Sequence, residues 1–156
     1  MVTPESPRLI ADIGGLYARF AIELSAGQFT HQASLRCADH ASLEQAIRAY
    51  LDSVAPLQIE HAAIAVANPV EGDQVRMTNY HWQFSIEETR RLLGLETLVV
   101  VNDFTALAMA LPKLEATDVR QVGGGHPASD HVIGLLGSGT GLGVSGLIPA
   151  AGSWIS

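Results

Sequence analysis

Positive charge and cysteine are both scarce in this sequence. Its 156 residues include 9 Lys and Arg against 16 Asp and Glu, a formal net charge of −7, and Lys113 is the only lysine. A chain this acidic lacks the basic surface that phosphate backbones and anionic lipids require, so nucleic acids and membranes are not expected partners. Cys37 is the only cysteine. This excludes an internal disulfide and favours a reducing, cytoplasmic setting.

Long apolar runs and targeting signals are also missing. The amino terminus, MVTPESPRL, has neither the basic nor the apolar region of a secretory signal. Apolar runs such as residues 62–67 and 98–101 are too short to span a bilayer. Hydrophobic residues nevertheless make up 47% of the chain, which is enough to build a core. The sequence therefore predicts a folded, soluble protein.

Hydrophobic periodicity divides the chain into short strands and helices. Three strands separated by glycine turns come first, and strands alternating with helices follow. Ser42 with Gln45, and Ser85 with Glu88, are typical of capping boxes at helix starts. The predicted strands are 8–13, 18–24, 28–33, 62–67, 98–101, 132–136 and 144–148, and the predicted helices are 43–54, 85–93 and 103–111. The initial order β-β-β-α-β-α-β-α indicates an α/β fold, a mixed sheet flanked by helices.

A loose, glycine-containing segment at residues 113–130 interrupts this alternation. We therefore expect residues 1–111 to form an amino-terminal α/β domain. Residues 112–156 are then a linker and the first strands of a second, incomplete domain.

The first candidate site is the run Asp12-Ile13-Gly14-Gly15, at the end of the first predicted strand. Glycine lets backbone N–H groups approach a phosphate closely, and a neighbouring carboxylate can hold Mg²⁺ directly or through water. A plain hairpin turn, with Asp12 as a turn residue, explains the same spacing.

The second candidate site is the run of alternating glycines from Gly137 to Gly143. A strand follows it where a dinucleotide-binding fingerprint needs a helix, and the chain has no GK[ST] motif, so Rossmann and Walker A sites are excluded. A phosphate-binding turn with the Thr140 hydroxyl as a donor remains. The alternative is a flexible glycine linker.

The third candidate site is Asn102-Asp103, which follows a buried predicted strand. Open α/β sheets bind ligands at the carboxyl ends of their strands. Asp103 could accept a proton from a substrate hydroxyl, and Asn102 could hydrogen-bond its neighbours. Asp103 is equally well explained as a helix N-cap.

Four stretches, in this order, resemble the bacterial glucokinase family within the superfamily of sugar kinases, heat-shock ATPases and actin. They are LIADIGG with ARFAI, AIAVANPVEGDQVRMTNYHWQFSIEE, VVVNDFTALAMALP and GSGTGLGVSGLIP, and together they cover nearly the whole chain. The resemblance implies a ribonuclease H-like fold and ATP- and Mg²⁺-dependent phosphorylation of glucose at its 6-hydroxyl. Self-association, as a homodimer or a larger species, is expected on separate grounds, because the strand-rich, apolar segment 132–155 lacks its packing partners.

The resemblance also implies a role for each candidate residue. Asp103 matches the catalytic base, Asn102 and Asp103 together bind the sugar, and Asp12 matches the Mg²⁺ ligand. The residues implied to bind ATP phosphates are Asp12, Gly14 and Gly15 in the first loop and Gly139, Thr140 and Gly141 in the second.

Two departures from the family pattern bear on activity. Leu16-Tyr17 stands where the family has Thr-Asn, and the chain stops before the family's Glu-Gly-Gly-His stretch. We therefore expect a truncated or engineered chain, or a fragment, that is inactive alone. The alternatives are a non-catalytic remnant with weak sugar binding or self-association, and a kinase for another hexose.

Overall fold

The computed structural model describes residues 6–78, 81–126, 128, 131–138 and 141–156. The chain divides into two compact units, Met1–Asp103 and Phe104–Ser156. The expected domain division at residues 111 and 112 stays a prediction.

The first unit is built on a five-stranded mixed sheet. The strands of the whole unit are β1 (Arg8–Ile13), β2 (Tyr17–Ser25), β3 (Gln28–Arg36), β4 (His61–Val66), β5 (Gln74–Arg76), β6 (Gln83–Ser85) and β7 (Thr97–Asn102), and its helices are α1 (Leu43–Val54) and α2 (Ile86–Leu92). All of these strands except β5 and β6 belong to the five-stranded sheet. The sheet order is β3-β2-β1-β4-β7. β2 is antiparallel to β1 and β3, whereas β1, β4 and β7 are parallel. The predicted mixed sheet is confirmed.

One face of this sheet carries the core. Leu9, Ala11 and Ile13 alternate along β1 and are almost fully buried, as the two-residue period of a strand requires. The buried Tyr50 of α1 stacks on Phe20 of β2, with ring centroids 4.9 Å apart. The Tyr50 hydroxyl donates a hydrogen bond to a backbone carbonyl of β3 (2.8 Å), so the helix is fixed on the sheet by both apolar and polar contacts.

Both predicted helix caps are present. The Gln45 backbone N–H donates to the Ser42 hydroxyl (3.2 Å), and the Glu88 N–H donates to the Ser85 hydroxyl (3.0 Å). The Gln45 side chain accepts from the N–H of Ala41, one residue before the cap. These bonds satisfy N–H groups that the first helical turn leaves without partners.

A short hairpin of β5 and β6 lies between the strand predicted to end at residue 67 and the helix predicted to begin at residue 85, where no strand is predicted. Val75 is buried and Phe84 is partly buried against the core, and these two are register partners. Each strand has three residues and one apolar side chain, which is too few to show a period in the sequence.

The second unit contains a three-stranded antiparallel sheet. The first element of this unit is α3 (Asp103–Ala110), although Asp103 itself is the last residue of the first unit. The three strands are β8 (Ile133–Ser138), β9 (Leu142–Ala150) and β10 (Ser153–Ile155). The sheet order is β10-β9-β8. β8 and β9 run further into the glycine run than predicted, because Gly137 and Gly143 are register partners. No helix in the described part of the chain is long and apolar enough to cross a membrane.

Candidate active site

The carboxyl ends of three parallel strands meet at one edge of the first unit's sheet. Ile13 of β1 pairs with Val66 of β4, which pairs with Asn102 of β7. Neighbouring strands lie about 4.8 Å apart, so the ends of β1 and β7 are roughly 10 Å apart. Asn68 lies two residues beyond the end of β4, between them. This edge is where open α/β sheets bind their ligands.

Asn102 and Asp103 are in direct contact at this edge. The Asn102 Nδ2 donates to Asp103 Oδ1 (2.9 Å) and to the backbone carbonyl of Asn68 (3.2 Å). Both hydrogens of the Asn102 amide are therefore used within the protein. Asp103 is the first residue of α3, so its carboxylate lies in the first turn, where the helix dipole favours a negative charge. The arrangement holds a carboxylate in a fixed orientation at the ligand-binding edge.

Asn68 is a site residue that the sequence analysis did not identify. It is 5% exposed, its Oδ1 accepts the backbone N–H of Thr78 (3.1 Å), and its Nδ2 donates to the Thr78 hydroxyl. In the sequence, Asn68 followed by Pro69 indicates only the end of a strand. The pairing with Thr78 bridges ten residues and leaves no local signal.

Asp12 lies on the exposed face of β1. Its Oδ2 accepts from Arg19 Nη1 (3.0 Å), directly across the β1–β2 register. The two residues line a groove of about 540 Å³ on this face, together with Ile10 and Ala65. Mg²⁺ that binds beside substrate phosphates is usually held by only one or two carboxylates, so the single carboxylate of Asp12 fits such a site. Arg19 competes for the same oxygen.

Among the residues that the structure describes, three side chains form a group that could hold a metal ion: Glu60, His61 and Glu96. They lie at the amino ends of β4 and β7, away from the candidate edge. Asp12 does not belong to this group.

The first glycine loop is a tight turn. The Gly14 N–H donates to the carbonyl of Tyr17 (2.9 Å), so it is engaged within the turn. Cys37 anchors the loop: its N–H donates to the Leu16 carbonyl (3.0 Å) and its thiol lies 3.5 Å from the Gly14 carbonyl. Burial raises the pKa of the Cys37 thiol and keeps it protonated. The Leu16 side chain is 78% exposed.

The second glycine loop is only partly described, because Gly139 and Thr140 lie outside the described residues. Gly141 has open space at its Cβ position. The flanking glycines of the strands are different: a Cβ on Gly137 would lie 2.7 Å from the ring of Phe104, and one on Gly143 would overlap that ring. These two glycines therefore make room for Phe104 in the first turn of α3, a packing role that the glycine spacing does not predict.

Solved structures define the class of protein. The mixed five-stranded sheet with flanking helices is the ribonuclease H-like fold of actin-like sugar kinases. The crystal structure of a glucokinase from an Antarctic psychrotroph matches with a TM-score of 0.84 at 34% identity, over 97% of this chain and 49% of that one. A ROK family glucokinase from Streptomyces griseus, solved with glucose and AMPPNP, shares the fold at 18% identity, with a TM-score of 0.62 over 96% and 46% of the two chains.

The chain belongs to the glucokinase family, whose sequence pattern matches residues 9–156. The Bifunctional protein glk of Burkholderia orbicola (strain AU 1054) is 59% identical over 97% of this chain and 24% of its own length. The Glucokinase of Chromobacterium violaceum is 54% identical over 97% of this chain and 44% of its own length. The chain thus spans about a quarter to a half of the curated relatives that it matches.

Proposed function

We propose that this chain supplies the sugar-binding and proton-accepting part of an ATP-dependent glucose 6-kinase. The observation that carries the proposal is the Asp103 carboxylate, held by Asn102 at the carboxyl edge of the parallel strands. A base at this position can accept the proton of a bound hydroxyl.

The reaction needs one proton acceptor and accurate positioning. As the 6-hydroxyl oxygen attacks the γ-phosphorus of ATP, its proton passes to an oxygen of Asp103. A new O–P bond forms, and the bond between the γ-phosphorus and the β,γ-bridging oxygen breaks to release ADP. The Asn102–Asp103 hydrogen bond keeps the accepting carboxylate in place during this step.

Glucose and ATP as ligands are supported by the family and by the neighbour solved with glucose and AMPPNP. We assign phosphate binding to Asp12, Gly14, Gly15, Gly139, Thr140 and Gly141. Asp12 would hold Mg²⁺, which neutralises phosphate charge when bound.

A second candidate function is sugar binding without phosphoryl transfer. It is favoured by the first glycine loop, where Gly14 donates to Tyr17 and Arg19 occupies an oxygen of Asp12. Leu16 also lacks the hydroxyl that the family has at this position. This candidate retains the edge around Asn102 and loses the ATP phosphate site.

The proposal extends to a cytoplasmic location and to self-association. The reduced, buried Cys37 suits a reducing compartment. Exposed apolar side chains on the strands of the second unit, such as Leu136 and Leu142, support self-association.

The test uses an extended protein, in which residues 1–156 are joined to the carboxyl-terminal remainder of the Chromobacterium violaceum glucokinase. We expect ATP-dependent formation of glucose 6-phosphate. Asp103→Asn should lower kcat by at least about a hundredfold and retain glucose binding, because it removes the base and keeps the shape. Asp52→Asn, a matched change at an exposed position on α1, should leave kcat unchanged.

Full turnover by Asp103→Asn would refute the assignment of the base. Glucose binding without turnover in the unsubstituted extended protein would favour the second candidate.

A further inference from the structure

Asn68 connects two parts of the first unit that are distant in sequence. We propose that Asn68 is a positioning residue that fixes the Thr78 segment (Met77 and Thr78, directly after β5) beside Asn102 and Asp103, where that segment borders the bound sugar. The inference rests on the proposed function and names a residue to which the family resemblance assigned no role.

The contacts form a continuous chain of hydrogen bonds. The Asn68 side chain holds the backbone N–H and the hydroxyl of Thr78. The Asn68 carbonyl accepts from the Asn102 amide, which also donates to Asp103. A displacement of Asn68 therefore changes both the Thr78 segment and the support of the carboxylate.

The Asn68 backbone and side chain are both restrained. Pro69 disfavours the helical conformation for the residue before it, which restricts the backbone of Asn68 just beyond β4. The side chain is 5% exposed and both of its polar atoms are bonded. Burying an amide requires such partners, and removing one side of the pair leaves the other unsatisfied.

The Thr78 segment is anchored on its other side as well. The Met77 N–H donates to the carbonyl of Trp82 (2.9 Å), and Trp82 Nε1 donates to the carbonyl of His40 (3.1 Å). Trp82 and Met77 are buried in the core. Met77 and Trp82 are thus fixed to the core, and Asn68 ties Thr78 to the candidate edge.

A turn-stabilising role alone would also use these hydrogen bonds, and kinetics separate the two roles. A residue that only stabilises the fold affects glucose and ATP alike when it is replaced. A residue that positions the sugar site changes the KM for glucose selectively, because Asn68 supports Asn102 and Asp103, the two residues proposed to hold the sugar.

The first arm of the test measures amide hydrogen exchange in the 156-residue chain. Asn68→Ala should speed exchange at the Thr78 amide at least about fivefold, as expected for the loss of one net hydrogen bond, and leave the amides of β1 unchanged. Gln121→Ala is the control, since the Gln121 side chain likewise makes two hydrogen bonds, both donated to backbone carbonyls of the second unit. It should leave the Thr78 amide unchanged.

The second arm measures steady-state kinetics in the extended protein. Asn68→Ala should raise the KM for glucose about tenfold and leave the KM for ATP within about twofold. Thr78→Val removes the hydroxyl and should give a smaller increase, whereas Thr78→Ser keeps both bonds and should behave like the unsubstituted protein.

Unchanged exchange at Thr78, or an equal rise in both KM values, would overturn the positioning role. If the unsubstituted extended protein shows no turnover, the proposed function fails, and the exchange measurement alone decides whether Asn68 holds the Thr78 segment.

Discussion

The side chains of β1, β2, β4 and α1 form one buried core in the first unit, whereas half of the apolar side chains on the strands of the second unit are exposed to solvent. Among the described residues of the second unit, Ala108 and Leu147 are the buried apolar ones. Leu136 and Leu142 are 71% and 73% exposed. The first unit therefore has the packing that holds a site edge rigid, and the second has surface that other chain segments can cover.

The largest expected effect tests this difference with the same substitution in each unit. Leu9→Ala in β1 removes a fully buried side chain and should lower the free energy of unfolding by about 3 kcal/mol. Leu136→Ala in β8 should change it by less than about 0.5 kcal/mol. Urea denaturation followed by circular dichroism measures both, and equal losses would refute the contrast.

The second prediction concerns the packed contact within the second unit between Phe104 and the glycines. Gly143→Ala places a methyl group in space that the Phe104 ring occupies, and it should therefore destabilise the β8–β9 hairpin by about 1–3 kcal/mol. Gly134→Ala, at a strand position with open space, is the control. Hydrogen exchange across β8 and β9 reports the change.

A double substitution identifies the cause of that loss. In the Phe104→Ala background, Gly143→Ala should cost much less, because the ring that it meets is absent. Additive effects would show that Phe104 is not the reason for glycine at this position.

The third prediction concerns self-association through the exposed apolar side chains of the second unit. Light scattering at micromolar concentration should detect dimers or larger species. Leu136→Lys with Leu142→Lys should weaken the association at least about tenfold, since charges on an apolar face oppose its burial. Leu16→Lys, at an exposed position of the first unit, should not. A monomeric unsubstituted chain would contradict self-association.

The smallest expected effect is a pH-dependent change in stability when Asp73, on the polar surface of the first unit, is replaced. Hydrogen bonds from the Ser85 side chain and the Glu87 N–H lower the pKa of the Asp73 carboxyl. A lowered pKa in the folded state gives stability that is present above the unfolded value of about 3.9 and is lost as the pH falls through the folded value. Asp73→Asn should therefore lower the urea midpoint at pH 7 and converge with the unsubstituted chain in acid. A difference that does not depend on pH would refute this cause.

Most of the sheet could be predicted from the sequence because its signals are local. The apolar run of β4, the spacing of Leu43, Ile47 and Tyr50 in α1, and the serine caps each depend on a few neighbouring residues. The family resemblance is confirmed, and the catalytic, phosphate and metal roles of the individual residues stay predictions.

The parts that could not be predicted depend on contacts between distant residues. The Asn68–Thr78 pair, the Asp12–Arg19 ion pair and the Phe104 ring on Gly143 join positions separated by 10, 7 and 39 residues. Glycine spacing indicated a phosphate turn and could not show which glycines make room for an aromatic ring.

The central claim is that the sugar binds at the carboxyl edge of the first unit's parallel strands. It is tested most directly by titrating the isotope-labelled 156-residue chain with glucose and following its backbone amide resonances. We predict saturable shifts confined to the neighbourhood of Asn68, Thr78, Asn102 and Asp103, with none in β8, β9 or β10. Shifts confined to the second unit, or no saturable shift at the edge, would contradict the account.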